Sequence, residues 1–158
     1  MARTTRLQVT VKMKVAPSHE VKHNAYLYMK AKQFVLDWLV ETKPVFKNKE
    51  DLEGIVHREW YEKLKKMGLK SRLVEDCYRD AANIYLSWLG NPNEKKSKPR
   101  VKSVSVILTP KGSYNLNLKK MKLRIMGEKI QILGYSRTMA LYNNENWKMA
   151  EARVRVRS

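Results

Sequence analysis

The sequence predicts an α+β protein: a small antiparallel β-barrel with a three-helix lobe inserted between strand 1 and the remaining strands. Three observations lead there. The apolar period is two from Arg6 to Val15, helical from Ser18 to Leu89, and two again after Val104. Turn residues cut the last segment into short runs at roughly ten-residue spacing, the pattern of a small barrel or sandwich. A first strand left alone among helices would expose an unpaired edge, so it is expected to join the later strands. The domain expectation follows: residues 1–17 and 99–158 form the barrel, 18–90 the helical insertion and 91–98 a basic hinge.

Arg6 to Val15 alternates, with Leu7, Val9, Val11, Met13 and Val15 on one side and Gln8, Thr10, Lys12 and Lys14 on the other. Pro17 stops the run. Ser18 is a good N-cap, with Glu20 in the first turn. Val21, Ala25, Tyr28, Val35 and Leu39 make a helical stripe, widened by Leu27, Phe34 and Trp38, and Lys43-Pro44 ends it. Leu52, Ile55, Val56, Trp60, Leu64 and Met67 predict a second helix closed by Gly68. Ser71 is expected to cap a third, in which Leu73, Val74, Cys77, Ala81, Ile84, Tyr85, Trp88 and Leu89 face inward. Beyond the Lys-rich hinge come Val104–Leu108, a turn at Lys111-Gly112-Ser113, then Tyr114–Leu118, Met121–Ile125, the turn Gly127-Glu128, and Ile130–Ile132. A weaker strand is expected over Arg137–Leu141, and a last one from Trp147 to Arg157 after an Asn143-Asn144 turn.

Charge points to a partner. Residues 91–158 carry sixteen Lys and Arg against four acidic residues, whereas residues 1–90 carry seventeen against eleven. The formal net charge is +18, in a chain whose 43% apolar content is ordinary for a folded protein. Two ammonium groups about 10 Å apart in water repel by roughly 0.4 kcal/mol before screening, so many such pairs favour a polyanionic partner. The bland reading, charge for solubility alone, does not require the surplus to gather in one half. Cys77 is the single cysteine, so no intramolecular disulfide is possible, and a cytoplasmic or nucleoid-associated location is expected. No apolar run reaches the eighteen or so residues that span a bilayer, and no helix is both basic on one face and cleanly apolar on the other, so no membrane partner is expected.

Catalysis finds no support among the motifs. His19 and His23 stand four apart, a metal-ligand spacing, but no carboxylate or thiol converges on them, and no Gly-rich phosphate loop, GxSxG elbow or CxxC is present. No metal, cofactor or small-molecule substrate is expected. The candidate binding residues are instead cationic. Lys12 and Lys14 lie on the wet face of the first strand. Lys98, Arg100 and Lys102 belong to KKSKPRVK, where Pro99 stiffens the entry to the next strand and Arg100 can grip a phosphate bidentately; solvated linkers carry such runs about as often. Lys119, Lys120, Lys122 and Arg124 cluster at one hairpin with Lys129, and Arg153, Arg155 and Arg157 alternate with apolar residues on the last strand. The competing reading of that strand is an edge guarded by charge. Tyr114, Tyr135, Tyr142 and Trp147 are interleaved with these charges and can stack on unpaired bases; packing is expected for Trp147, while Tyr114 stays open. Trp38, Trp60 and Trp88 are expected in the core.

The order of these pieces resembles the N-terminal part of the TnpB/OrfB family of transposon-encoded RNA-guided nucleases. The opening RLQVTVKMKVAPS and the long helix after it, SRLVEDCYRDAANIYLSWL before the basic hinge, KPRVKSVSV, LRIMGEKIQILG and WKMAEARVRVR are the similar segments. The resemblance implies that the barrel is a wedge domain and the inserted helices a recognition lobe, together holding guide RNA and the guide–target duplex and reading a short target-adjacent DNA motif. Pro99, Arg100 and Lys102 match the family's Pro-Arg-Phe-Lys-Ser signature, with Val101 in place of its Phe. The family continues into a RuvC-like nuclease with three acidic residues and a Cys-rich zinc element. This sequence carries neither, so the expectation is a transposase-related, nuclease-dead module that binds structured RNA, target DNA or both. The alternative is a stand-alone sequence-specific DNA-binding regulator using the helical lobe, although Glu59 and Glu62 flank Arg58 and Lys63 where a recognition helix should be cleaner. A third class is a structural protein whose basic face meets an acidic protein.

Overall fold

Ser18, extended at φ −135°, accepts a hydrogen bond from the Val21 amide and so caps α1 (His19–Thr42), satisfying one of the donors a helix start leaves free. The computed structural model describes residues 8–91, 99–101, 104–144 and 146–156. α1 ends at Lys43, left-handed at φ 46°, one residue before Pro44. α2 (Lys49–Lys66) begins at Asn48, whose side chain accepts from the Asp51 amide, and Gly68 follows it at φ 99°. α3 (Ser71–Leu89) differs from expectation at its start: Lys70 holds the capping position and no side chain caps the helix.

α3 packs on both α1 and α2, which touch each other much less. Its face of Leu73, Val74, Cys77, Tyr78, Ala81 and Tyr85 is buried, as are Ala25, Tyr28, Val35 and Leu39 of α1 and Leu52, Val56 and Leu64 of α2. Each fully buried Val or Leu side chain among them contributes about 1.5–3 kcal/mol. Phe34 does not join them. It is 43% exposed, because it lies about 100° around the helix from Val35, beyond the stripe that α3 covers. Trp38, Trp60 and Trp88 are half-buried rather than central; Trp38 and Trp60 meet edge to face at 6.3 Å.

Seven short strands follow from the period-two segments: β1 (Met13–Val15), β2 (Ser105–Leu108), β3 (Tyr114–Asn117), β4 (Lys122–Ile125), β5 (Glu128–Ile130), β6 (Ile132–Tyr135) and β7 (Ala152–Arg155). β1 pairs antiparallel with β6, Met13 opposite Tyr135. The first strand therefore does join the later ones, and the helices are inserted between it and its partner. β2 pairs antiparallel with β7, Ser105 opposite Arg155, and β3, β4 and β5 form an antiparallel meander. The α+β class holds, but among the described residues these are three separate ladders and no closed barrel forms.

Several expected strands are shorter or absent. Residues 8–12 make no ladder, because β6 is only four residues long and Ser136 turns the chain away after it; Arg6 and Leu7 lie outside the described residues. Arg137–Tyr142 is a 3-10 helix rather than a strand, started by the Ser136 hydroxyl accepting from the Thr138 amide, and only Met139 of it is buried. Of the described part of the last expected strand, β7 forms the ladder and the Val156 amide adds one bond to the Val104 carbonyl, while the expected hinge lies outside the described residues apart from Asn91.

One apolar core runs through helices and ladders, including Val106, Leu108, Tyr114, Leu123, Ile125 and Ile130. Polar contacts join the helices to one another and to the turns of the ladders. The Tyr28 hydroxyl lies 3.0 Å from Asp80 Oδ2 and 3.2 Å from the Asp76 carbonyl, and Lys32 Nζ donates to Asp80 at 3.0 Å. Ser113 Oγ donates to Asp76 Oδ2 at 3.0 Å and accepts from the Thr109 amide. In that turn a Cβ on Gly112 would stand 2.5 Å from Thr109 Oγ1, which only glycine avoids. Arg72 donates to the carbonyls of Lys111 and Gly112, and Lys70 to that of Met126. The start of α3 thus grips both the β2–β3 and β4–β5 turns.

Candidate nucleic-acid interface

Strands from all three ladders border one open cleft of about 2360 Å³, together with the β1–α1 junction, the 3-10 helix and the segment 147–151. Its titratable lining is strongly one-sided. Among the described residues, Lys12, Lys14, Lys22, Lys119, Lys148, Arg153 and Arg155 contribute seven cations, and Glu151 the one carboxylate. None of the seven pairs with a carboxylate among the described residues. Arg153 donates to Ser105 Oγ at 2.8 Å, which steadies its guanidinium without neutralising it. Arg153 and Arg155 are both exposed and two apart on β7, so they share one face about 7 Å apart.

Four aromatic residues line the same cleft: Tyr114, Tyr135, Tyr142 and Trp147. They differ in availability. Tyr114 is buried, its hydroxyl donating to the Ala150 carbonyl at 2.5 Å, and burial raises its phenol above the ordinary value. Tyr142 and Trp147 pack edge to face at 4.6 Å and are half-buried. Tyr135 is 52% exposed, the most accessible residue of the four.

Six of the expected contact residues therefore meet at the cleft: Lys12, Lys14, Tyr114, Lys119, Arg153 and Arg155. The β4 charges do not. Leu123 and Ile125 point to the cleft and core, so Lys122 and Arg124, exposed and alternating with them, occupy the other side of the β3–β4–β5 sheet. Lys120 is exposed in the β3–β4 turn. Arg100 is exposed beside α1, where Gln33 donates to the Pro99 carbonyl and accepts from the Val101 amide. Lys98, Lys102 and Arg157 lie outside the described residues.

Lys22 and Lys148 belong to the cleft but not to the expected set. Lys148 follows Trp147 directly and that neighbourhood was a usable signal; Lys22 carries none, since its position depends on how α1 leaves β1. The cations of the helical lobe are differently placed. Lys63 pairs with Glu59 at 2.6 Å, and Arg79 lies between Glu53 and Glu75 at 4.0 and 3.8 Å. His19 and His23 are exposed on α1, and the described residues contain no group of three His, Cys, Asp or Glu side chains placed to hold a metal. No described helix is long and apolar enough to cross a membrane. No family model matches the chain, and no solved structure matches it.

Proposed function

We propose that this chain is a non-enzymatic nucleic-acid-binding module whose cleft holds an unpaired stretch of a polynucleotide, with structured RNA as the first partner to test. The observation that carries the reading is the cleft lining: among the described residues, seven cations against one carboxylate, with aromatic rings among them. Cations tracking a backbone beside rings that stack on bases is the combination single-stranded nucleic acid requires. An acidic protein surface would match the charge but would leave the Tyr135 face without a purpose. In this proposal the three ladders are the staves of one opened barrel. The order of strand, three helices and later strands, with strand 1 returning to pair late in the chain, is what a TnpB/OrfB-like wedge and recognition lobe would have, and we include that relation in the proposal, with a cytoplasmic or nucleoid-associated site of action. The helical-lobe regulator draws less support, because Lys63 and Arg79 are already matched with carboxylates.

The test is fluorescence anisotropy with a labelled stem-loop RNA and with unpaired RNA and DNA of about twelve nucleotides, for the wild type and for Arg153→Glu/Arg155→Glu. Salt-sensitive binding of the unpaired ligands that the double variant loses supports the proposal. Absent binding at low salt, or binding that the charge reversal leaves intact, overturns it.

A further inference from the structure

Lys122 and Arg124 are not stray members of the cleft; they belong to a second surface. On the outer side of the β3–β4–β5 sheet the register sets Arg124 opposite Lys129, with Lys122 two residues before it on β4; their β3 partners Asn115 and Asn117 stand at the margin and also border the cleft. All five are exposed, and like charges directly across a ladder are unfavourable unless something anionic lies over them. The face continues at the β4–β5 turn. Arg124 reaches the Gly127 carbonyl at 3.5 Å, Lys70 Nζ sits against the same turn, and Arg72 lies on the Lys111 carbonyl. Six cations from three parts of the chain thus make up a track, with Lys122, Arg124 and Lys129 on the sheet and Lys70, Arg72 and Lys111 at the turns that edge it. Glu128, the nearest acidic residue in sequence, is opposite Ile125 and half-buried on the other side of the sheet.

We propose that this track binds the phosphate backbone of duplex nucleic acid, separately from the cleft. The chemistry distinguishes the two surfaces. The sheet part of the track carries only amide and cationic side chains, with no ring to stack on a base, so it suits a ligand whose bases are already paired. The cleft is concave and ring-lined, so it suits an unpaired strand. A module with both can hold a junction, the duplex on one side of the meander and the single strand on the other. Duplex binding rests on this face alone; simultaneous occupation rests also on the cleft reading.

The experiment compares the wild type with Lys122→Glu/Arg124→Glu/Lys129→Glu, using a blunt duplex of about sixteen base pairs and an unpaired oligonucleotide. Each lost duplex contact removes about 0.7 of a decade of affinity at 0.15 M salt, so three remove about a hundredfold even before charge reversal. The expected result is that loss for the duplex, unpaired binding within twofold of the wild type, and a labelled unpaired strand that excess duplex does not displace. Because Arg124 also bonds the Gly127 carbonyl, Lys122→Ala/Lys129→Ala, with circular dichroism as a fold check, keeps the test open if the triple variant misfolds; it should lose duplex affinity by tens of fold. A wild type that ignores duplex, a folded variant that binds it unchanged, or full competition between the two ligands overturns the proposal. Duplex binding without unpaired binding sinks the cleft reading and leaves this one standing.

Discussion

The salt dependence of unpaired-strand binding can be worked out from the cleft lining. Among the described residues, seven cations border it and Glu151 is the one carboxylate. If each cation meets one phosphate of a single strand, the slope of log affinity against log salt is about 0.7 per contact, or about −5 in all. Raising salt from 50 to 200 mM then weakens binding by about a thousandfold. Replacing Arg153 and Arg155 by Ala removes two contacts, so the slope falls to about −3.5 and affinity at 0.15 M salt drops by about tenfold. Both side chains are exposed, so these substitutions spare the core, although Arg153 gives up its bond to Ser105. Anisotropy titrations at five salt concentrations measure both quantities. A wild-type slope shallower than about −2, or one that the double variant leaves unchanged, would mean that these groups do not share a ligand and would refute the reasoning.

Three further outcomes follow. Tyr135→Ala should weaken binding of an unpaired strand by about 1–3 kcal/mol if a base stacks there, with duplex affinity unchanged; equal loss for both ligands would assign the ring a structural role. Asp80→Ala strands the Lys32 ammonium between α1 and α3, where both partners are nearly inaccessible, and should cost about 3–5 kcal/mol in urea denaturation, while Lys32→Met/Asp80→Leu should recover most of it. Asp76 has its carboxyl raised above the ordinary range, chiefly by burial, against the opposing Ser113 hydrogen bond and Arg79. Its contribution to stability is therefore fullest below the unfolded value of about 3.9 and is lost as pH rises through the raised folded value. Asp76→Asn, which can still accept from Ser113, should be more stable than the wild type at pH 7 and gain little at pH 4; the opposite order in urea midpoints would overturn the assignment.

What was legible in the sequence was local. Ser18 as a cap, Pro44 and Gly68 as stops, and the switch of period after the hinge all rest on backbone chemistry within a few residues, and each appears where expected. The misses share a different cause. The β4–β5 turn centres on Met126 and Gly127, at φ 54° and 83°, rather than on Gly127-Glu128. Methionine tolerates that conformation because its amide bonds the Ser113 carbonyl and its own carbonyl takes Lys70, partners far away in sequence. Arg137–Leu141 alternates like a strand, yet no neighbouring strand offers it a ladder and Ser136 starts a 3-10 turn instead. The alternation of β4 did show that Lys122 and Arg124 oppose Leu123 and Ile125. It could not show that the cleft lies on the Leu123 side, since that depends on where β1 and β7 settle.

The two cationic surfaces are held in register by the same buried contacts. Asp76 of α3 fixes Ser113, Ser113 precedes Tyr114 in the cleft wall, and Tyr114 ties down Ala150 ahead of β7 and its arginines. From the other end of the same turn, the Ser113 carbonyl takes the Met126 amide and so sets the hairpin that carries Arg124 and Lys129. The meander is a thin partition, one strand layer thick, with Lys122, Arg124 and Lys129 on one side and the ring-lined cleft on the other. A thin sheet can keep a fixed spacing between two ligands only if it cannot twist freely. The grip of Lys70 and Arg72 on its turns, together with the Asp76–Ser113 bond, supplies that stiffness from the helical lobe. The insertion of three helices between β1 and the later strands then has a physical role: it braces the partition and brings Lys22 to the cleft and Lys70 and Arg72 to the turns of the meander.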